Sequence, residues 1–229
     1  GWDAALGSSR QTKDRNAERN HLGNLGLASF RLGDPHKAIE YYNIALKIAR
    51  EIGDRRGEVA ELGNLGLACV HLGDPHKALE YYDLALKISR EIGNRKYEGT
   101  LLGNLGNLYS ELGGTCKAIE YYEQAFKITR DIGDRRGEGI HLCDLGQVYF
   151  DMGETHKAIE YYEQALKIAR EIHDSRSEGK CKGNLGNAYT ILNELRKAIE
   201  YYEQALKISH DIGDRWGDET HLGNLGNAY

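Results

Sequence analysis

An internal repeat of 40 residues constrains the fold of this chain more than any other feature of its 229 residues. A block reading GNLG or a near variant recurs, and its second residue is Asn24, Asn64, Asn104, Asp144, Asn184 and Asn224. A block beginning KAIEYY or KALEYY alternates with it and starts at Lys37, Lys77, Lys117, Lys157 and Lys197. A fixed period of this length is typical of stacked supersecondary units, each too small to bury a core alone.

Each unit has the pattern of two amphipathic helices joined by short loops. In the second unit, Asp54 and Asp74 are candidate N-caps, and Pro75 stands in a first turn, where its missing N–H costs nothing. Gly73 and Gly93 are placed to end the two helices. Because both loops are short, neighbouring helices must be antiparallel.

The spacing of apolar residues predicts which helix faces are buried. In the second unit these faces comprise Leu62, Leu65, Gly66 and Cys69 in the first helix, and Ala78, Tyr82, Ala85, Leu86 and Ile88 or Ser89 in the second. Each pair of adjacent tyrosines, such as Tyr81 and Tyr82, should supply one core ring and one partly exposed ring. Glu58 lies close to capping-box distance from Asp54, so we expect it to support that helix start.

The spacing of the residues that recur in every repeat resembles the sequence pattern of the tetratricopeptide repeat (TPR) family. The matching residues of the third unit are Leu102, Leu105, Gly106, Tyr109, Ala118, Tyr122 and Ala125. The family's usual repeat is about 34 residues. The longer version, with its NLGN and IAREIGD phrases, looks like the arrays of LGN/Pins-type polarity adaptors and the long near-identical arrays of invertebrate and cyanobacterial proteins. The resemblance implies an all-α fold, a right-handed α-solenoid of antiparallel helix pairs (TPR superhelix) with about 5.5 repeats.

The repeat boundaries define the predicted domain organisation. We expect a single array over residues 14–229, preceded by an N-terminal tail at 1–13, native or artificial. The predicted repeats are 14–53, 54–93, 94–133, 134–173 and 174–213, with a partial repeat at 214–229. Because the sequence stops at Tyr229, halfway through the sixth unit, we expect a piece of a longer protein. Its open C-terminal end should expose Leu222 and Leu225, a candidate surface for self-association.

Composition excludes several classes of partner and compartment. The net charge of −5 has the wrong sign for nucleic-acid binding, and no apolar run is long enough to span a membrane. The N-terminus lacks the pattern of a signal peptide. The four cysteines, which form no C-x-x-C pair, are Cys69, Cys116, Cys143 and Cys181. These features predict free thiols in a reducing, cytoplasmic compartment; redox sensing or adventitious metal binding is the alternative.

Catalytic and cofactor motifs are absent from the sequence. There is no P-loop, no dinucleotide-binding glycine motif, no H-E-x-x-H and no G-x-S-x-G. Most of the nine histidines fall at loop or helix-surface positions, such as His36, His76 and His156. We therefore predict no enzyme activity, no catalytic residue, no metal site and no cofactor.

A row of amides is the strongest candidate for a binding site. Position 64 and its equivalents lie about 200° round the helix from the buried face, so they should point away from the second helix. The predicted peptide-binding residues are Asn24, Asn64, Asn104, Asn107, Asp144, Gln147, Asn184, Asn187, Asn224 and Asn227. An amide offers both a donor and an acceptor, which matches an extended peptide backbone. Groove asparagines of related arrays bind extended peptides, so the resemblance implies a protein or peptide partner.

Other interpretations of this row stay open. The amides could instead bridge neighbouring helices or persist from recent duplication, and the chain could be a structural, self-associating array. Light scattering across concentrations separates that class from a monomeric adaptor. Specificity should come from Leu27, Leu67, Phe30, Val70, Phe150 and nearby charges. Arrays of the LGN/Pins type carry Arg four residues before each member of the row, and these Arg residues bind acidic peptides. In this chain, only Lys180 is basic at that position. Mid-helix Gly63 and its equivalents should admit either a ligand backbone or the adjacent repeat.

Overall fold

A computed structural model of the chain describes residues 14–228, and its regular structure is helical throughout that range. The helices of the described residues are α1 (Arg15–Arg31), α2 (Pro35–Glu51), α3 (Arg55–His71), α4 (Pro75–Glu91), α5 (Arg95–Glu111), α6 (Thr115–Asp131), α7 (Arg135–Asp151), α8 (Thr155–Glu171), α9 (Ser175–Ile191), α10 (Leu195–Ile212) and α11 (Arg215–Ala228). Residues 14–228 contain no β-strand. The predicted all-α fold is confirmed.

The helices belong to two compact units, and each is a stack of helix pairs. The first unit ends at Leu108, within α5, and the second begins at Tyr109. In the first unit, α1 packs on α2, α2 on α3 and α3 on α4; in the second, each helix from α6 to α11 packs on the next. The first helices of adjacent repeats also touch, as α7 and α9 do. A surface shared by adjacent first helices therefore runs along each stack.

Aspartates start both helices of the second unit, and glycines with a left-handed backbone follow them, as predicted. The side chain of Asp54 accepts a hydrogen bond from the backbone N–H of Gly57 at 2.9 Å. The glycines that follow the helices have φ between 66° and 82°. His173 and Asn193 replace glycine at two such positions and still adopt φ of 54° and 59°. The repeat therefore keeps its turn geometry even where the residue is not glycine.

The prediction that Glu58 completes a capping box is wrong. The backbone N–H of Asp54 donates to the carbonyl of Ala49 at 2.8 Å, so it does not reach the Glu58 carboxylate. Glu58 is instead buried and accepts from Arg50 Nε at 2.8 Å and Arg55 Nη1 at 2.5 Å. The carboxylate thus joins the end of α2 to the start of α3. A buried charge is tolerated here because two guanidinium groups compensate it.

A close crossing of the two helices forms the centre of the first, second, fourth and fifth repeats. In the fourth repeat, a Cβ atom on Gly146 would lie 2.6 Å from Cε1 of Tyr162. The Tyr162 ring is 1% exposed, whereas its neighbour Tyr161 is half-buried. Equivalent crossings bring Gly26 to Tyr42, Gly66 to Tyr82 and Gly186 to Tyr202. Only glycine allows these helices to approach so closely.

Candidate functional site

A cleft of about 550 Å³ lies between α9, α10 and α11 in the second unit. Its polar and aromatic lining includes Lys180, Asn184, Asn187, Trp216, Thr220 and Asn224. Three of these residues belong to the predicted peptide-binding set, and they come from the first helices of two adjacent repeats. The cleft has the size of ordinary ligand-binding sites, about 300–1,000 Å³.

The three amides of the cleft are joined to one another or to the preceding repeat. Asn224 Nδ2 donates to Asn187 Oδ1 at 3.1 Å, and Asn184 Nδ2 donates to the Sγ atom of Cys143 at 3.6 Å. Within residues 14–228, the Oδ1 atoms of Asn184 and Asn224 and the Nδ2 atom of Asn187 have no hydrogen-bond partner. The site therefore keeps two acceptors and one donor available.

The prediction that the amides point away from the second helix is wrong for Gln147 and Asn187, which stand three residues after Asp144 and Asn184. The hydroxyl of Tyr162 donates to Gln147 Oε1 at 3.3 Å, and that of Tyr202 donates to Asn187 Oδ1 at 2.8 Å. Each tyrosine lies on the second helix of the repeat whose first helix carries the amide. A buried tyrosine extends its hydroxyl to the edge of the helix pair, where these amides satisfy it.

The other predicted site residues occupy the same helix positions elsewhere. Asn24 is exposed and Asn64 is half-buried, with its Nδ2 atom 3.4 Å from Glu61 Oε2. Among the rest, Asn104 and Asp144 are half-buried, and Asn107, Gln147 and Asn227 are exposed. Thus none of the ten predicted residues belongs to the buried core, and the cleft brings together three of them.

Charge in and beside the cleft is mixed. Lys180 lies at its edge, with Nζ 3.9 Å from Asp144 Oδ1. Burial raises the pKa of Asp144 to about 6, although the nearby Lys180 ammonium opposes that shift. Arg176 and Asp214 also line the cleft, and burial lowers the pKa of His221, another lining residue. The cleft therefore carries two basic side chains and one acidic side chain rather than a uniform charge.

Some of the glycines that precede the amides pack closely against the first helix of the next repeat. A Cβ atom on Gly183 would lie 2.5 Å from Cε1 of His221, and one on Gly23 would lie 2.8 Å from Oε1 of Glu61. Gly223 has no described atom within 4 Å of such a Cβ. Contact with the adjacent repeat thus explains Gly23 and Gly183, whereas Gly223 borders open space.

Sequence reasoning missed a set of buried polar residues on the first helices. Glu61 is 2% exposed, and burial raises its pKa to about 7 even though Arg19 Nη1 lies 3.5 Å away. His141 and His221 are also buried, and burial lowers the pKa of His141 to about 4. The expected surface location holds for His36, His76 and His156, whereas these two histidines are buried. Their shared position three residues before the amide was the available signal.

The described residues provide no group of three or more His, Cys, Asp or Glu side chains arranged to hold a metal ion. Among the same residues, no helix has the length and apolarity needed to cross a membrane.

Comparison with known families supports one assignment. Family models described as tetratricopeptide repeat match residues 58–131, 138–210 and 22–52. Together the first two matches cover more than half of the chain. Repeats of this family are typically non-catalytic scaffolds for protein interaction, so the match supports that class. No curated protein matches the chain in sequence.

Three solved structures illustrate the likeness in fold. BtubC (BKLC) from P. vanneervenii is 23% identical with a TM-score of 0.82, and the match covers 93% of this chain and 89% of that chain. A putative kinesin light chain of Podosopora anserina with nearly identical TPR-like repeats is 19% identical, with coverage of 85% and 96% and a TM-score of 0.68. A STAND protein with a tetratricopeptide repeat sensor, PH0952 from Pyrococcus horikoshii, is 23% identical, with coverage of 92% and 35% and a TM-score of 0.69. At these identities the likeness establishes the fold alone.

Proposed function

Because this chain belongs to the tetratricopeptide repeat family, we propose that it is a non-catalytic scaffold that binds an extended segment of a partner protein along its first helices. The amides contact the main chain of the ligand, and neighbouring side chains supply specificity. The cleft between α9, α10 and α11 is the part of this surface whose geometry supports the proposal best.

The observation that carries the proposal is the set of unpaired amide atoms in this cleft. The Oδ1 atoms of Asn184 and Asn224 can each accept a backbone N–H, and Nδ2 of Asn187 can donate to a backbone carbonyl. An extended segment needs both kinds of partner, since each residue carries one donor and one acceptor. A purely structural bridge between helices does not require this remaining capacity.

The spacing of the amides suits an extended ligand. Packed helices lie about 8–10 Å apart. An extended chain advances about 3.3 Å per residue. Asn184 and Asn224 occupy equivalent positions of adjacent first helices, so they meet the ligand backbone at about every third residue. Such contacts hold a strand while leaving the residues between them to determine specificity.

Trp216 is the clearest candidate for specificity in the cleft. Its side chain is 76% exposed, whereas large aromatic residues usually bury most of their surface. It lies on the cleft beside the backbone-binding amides, so an apolar side chain of the ligand can pack on it. In the first unit, Leu27 and Leu67 are exposed at 39% and 40% and provide equivalent apolar contacts.

Replacing Asn184 and Asn224 together by alanine should weaken peptide binding by about 1–3 kcal/mol, because ligand backbone groups lose their partners. The ligands are peptides selected from a random phage-displayed library against the 229-residue chain. Isothermal titration calorimetry gives the affinity, and circular dichroism gives the thermal midpoint of the same samples. The midpoint should change little, because neither side chain belongs to the core.

The matched control is the double variant Gln164→Ala and Gln204→Ala. Both glutamines are exposed amides on second helices, away from the cleft lining. This control should bind the selected peptides with wild-type affinity. If the asparagine variant melts lower and still binds normally, the amides join helices and the backbone-binding proposal is wrong.

A further inference from the structure

The contact between first helices of adjacent repeats follows a fixed register. Within each unit, the residue before the amide faces the residue 38 positions further along the chain. Gly23 faces Glu61 in this way, and Gly183 faces His221, with the distances from a built Cβ given above. Because the approach is so close, the first member of each pair is glycine in every repeat except the fourth.

Cysteines occupy both positions of this register between the fourth and fifth repeats. Cys143 stands where the other repeats have glycine, and Cys181 is the residue 38 positions later. The two side chains are 4% and 2% exposed, belong to one hydrophobic cluster and line the same small cavity. Asn184 Nδ2 lies 3.6 Å from Cys143 Sγ on the side toward the cleft. The repeat geometry therefore places the two thiols beside the same cavity.

We propose that Cys143 and Cys181 form a reversible disulfide when the protein meets a peroxide, and that this bond joins α7 to α9. The structure holds the pair in its reduced form, as free cysteines. The inference is independent of the peptide-binding proposal, because it rests on the pairing of these two residues across the repeat contact.

A small cavity gives the oxidant room beside the thiols. Its volume is about 30 Å³, and its lining includes both cysteines, Arg136, Ile140 and Lys180. A single water molecule needs about 10–15 Å³ of such volume, so hydrogen peroxide, which is close to two waters in size, fits. Ile140 is 44% exposed, so the outer wall of the cavity consists partly of surface side chains. The thiols are thus buried but reachable.

Cys143 is the thiol that reacts first. Asn184 Nδ2 donates a hydrogen bond to Cys143 Sγ at 3.6 Å, and the Lys180 ammonium lies nearby, so both groups favour the thiolate form of Cys143. The Cys143 thiolate attacks one peroxide oxygen, the O–O bond breaks, and the departing hydroxide takes a proton to leave as water.

The second step closes the bond. Cys181 gives up its proton and attacks the sulfur of the Cys143 sulfenic acid, so that an S–S bond forms and the S–O bond breaks. The hydroxide that leaves takes that proton and becomes water. In total, two thiols and one hydrogen peroxide give one disulfide and two waters, with the thiols oxidised and the peroxide reduced.

Thiol counting tests this proposal directly. The Cys116→Ser background removes the exposed cysteine that could link two molecules, and three thiols remain. After treatment with hydrogen peroxide and denaturation, the number of thiols should fall from three to one, and dithiothreitol should restore it. The intact mass should drop by two hydrogen atoms. A non-reduced tryptic digest should join the peptide at 137–157 to that at 181–182.

Two further variants separate the disulfide from other outcomes. Cys143→Gly restores the residue of the other repeats, so it should fold, and its two remaining thiols should survive peroxide. Cys181→Ser removes the resolving thiol, so Cys143 should gain oxygen instead of losing hydrogen. An unchanged thiol count in the Cys116→Ser protein, or oxygen addition at Cys143 with Cys181 present, would overturn the proposal.

Discussion

Leu185→Ala should destabilise the second unit by about 2–5 kcal/mol, because it leaves a cavity in a core that cannot fully collapse. Leu185 is 0% exposed and belongs to a hydrophobic cluster that includes Tyr162 and Ala188. Urea unfolding followed by circular dichroism measures the change in the free energy of unfolding. The loss should appear as a lower midpoint for the part of the transition that reports this unit.

The control for this prediction is Leu195→Ala, which makes the same chemical change at a leucine that is 41% exposed. Its cost should stay below about 1 kcal/mol, because less apolar surface returns to water and no cavity forms. Equal losses in the two variants would show that the buried and exposed faces have been assigned wrongly.

Gly146→Ala should destabilise the protein even though alanine is the better helix former. The added Cβ would lie 2.6 Å from Cε1 and 2.7 Å from Cδ1 of Tyr162, and 3.3 Å from the carbonyl oxygen of Ala158. The buried Tyr162 ring has no space into which it can turn, so α7 must move away from α8. Such overpacking costs about 1–3 kcal/mol. This exceeds the gain of about 1 kcal/mol in helix propensity.

Gly226 is the natural control, since it occupies the same repeat position in α11. No described atom lies within 4 Å of a Cβ built there. Gly226→Ala should therefore leave stability unchanged or raise it by up to about 1 kcal/mol. Urea midpoints of the two variants, measured side by side, should move in opposite directions; midpoints that fall equally would contradict the proposed role of the close helix crossing.

The sequence predicts the helices to within about a residue, because most boundaries have a local chemical cause. The carboxylate of Asp74 caps α4 through the N–H of Lys77 at 3.1 Å, and Pro75 opens the helix. Gly93, with φ of 66°, lies in the left-handed turn that follows the end of α4. Repetition then carries each local assignment along the chain, so an error in one unit is corrected by the others.

Contacts that combine distant residues were not predictable from the sequence. The carboxylate of Glu58 is shared by Arg50 and Arg55, which lie on different helices. Local spacing suggested a capping box instead, since only the nearby Asp54 was visible in the pattern. An ion pair depends on where two long side chains meet in space, which helical periodicity does not specify.

The placement of the amides outside the buried core was predicted, but their contacts were not. The helical periodicity correctly predicted that the amides lie outside the core, but it does not distinguish one part of the helix surface from another. It therefore missed that Tyr202 donates to Asn187, since the tyrosine backbone is buried on another helix and only its hydroxyl reaches the amide. The prediction that Leu222 and Leu225 are both exposed holds for Leu222, at 57%, and is wrong for Leu225, which is 9% exposed and packs with Tyr202.

N-methylation of a bound peptide tests the proposed backbone recognition most directly. A selected peptide is synthesised in two series, one with an N-methyl group and one with an alanine side chain at each position in turn. Calorimetry measures the affinity of every peptide for the wild-type protein. The account predicts that N-methylation at about every third position weakens binding by about tenfold or more, since Asn184 Oδ1 and Asn224 Oδ1 lose their donors. Uniform tolerance of N-methyl groups, with affinity determined by the side chains alone, would contradict it.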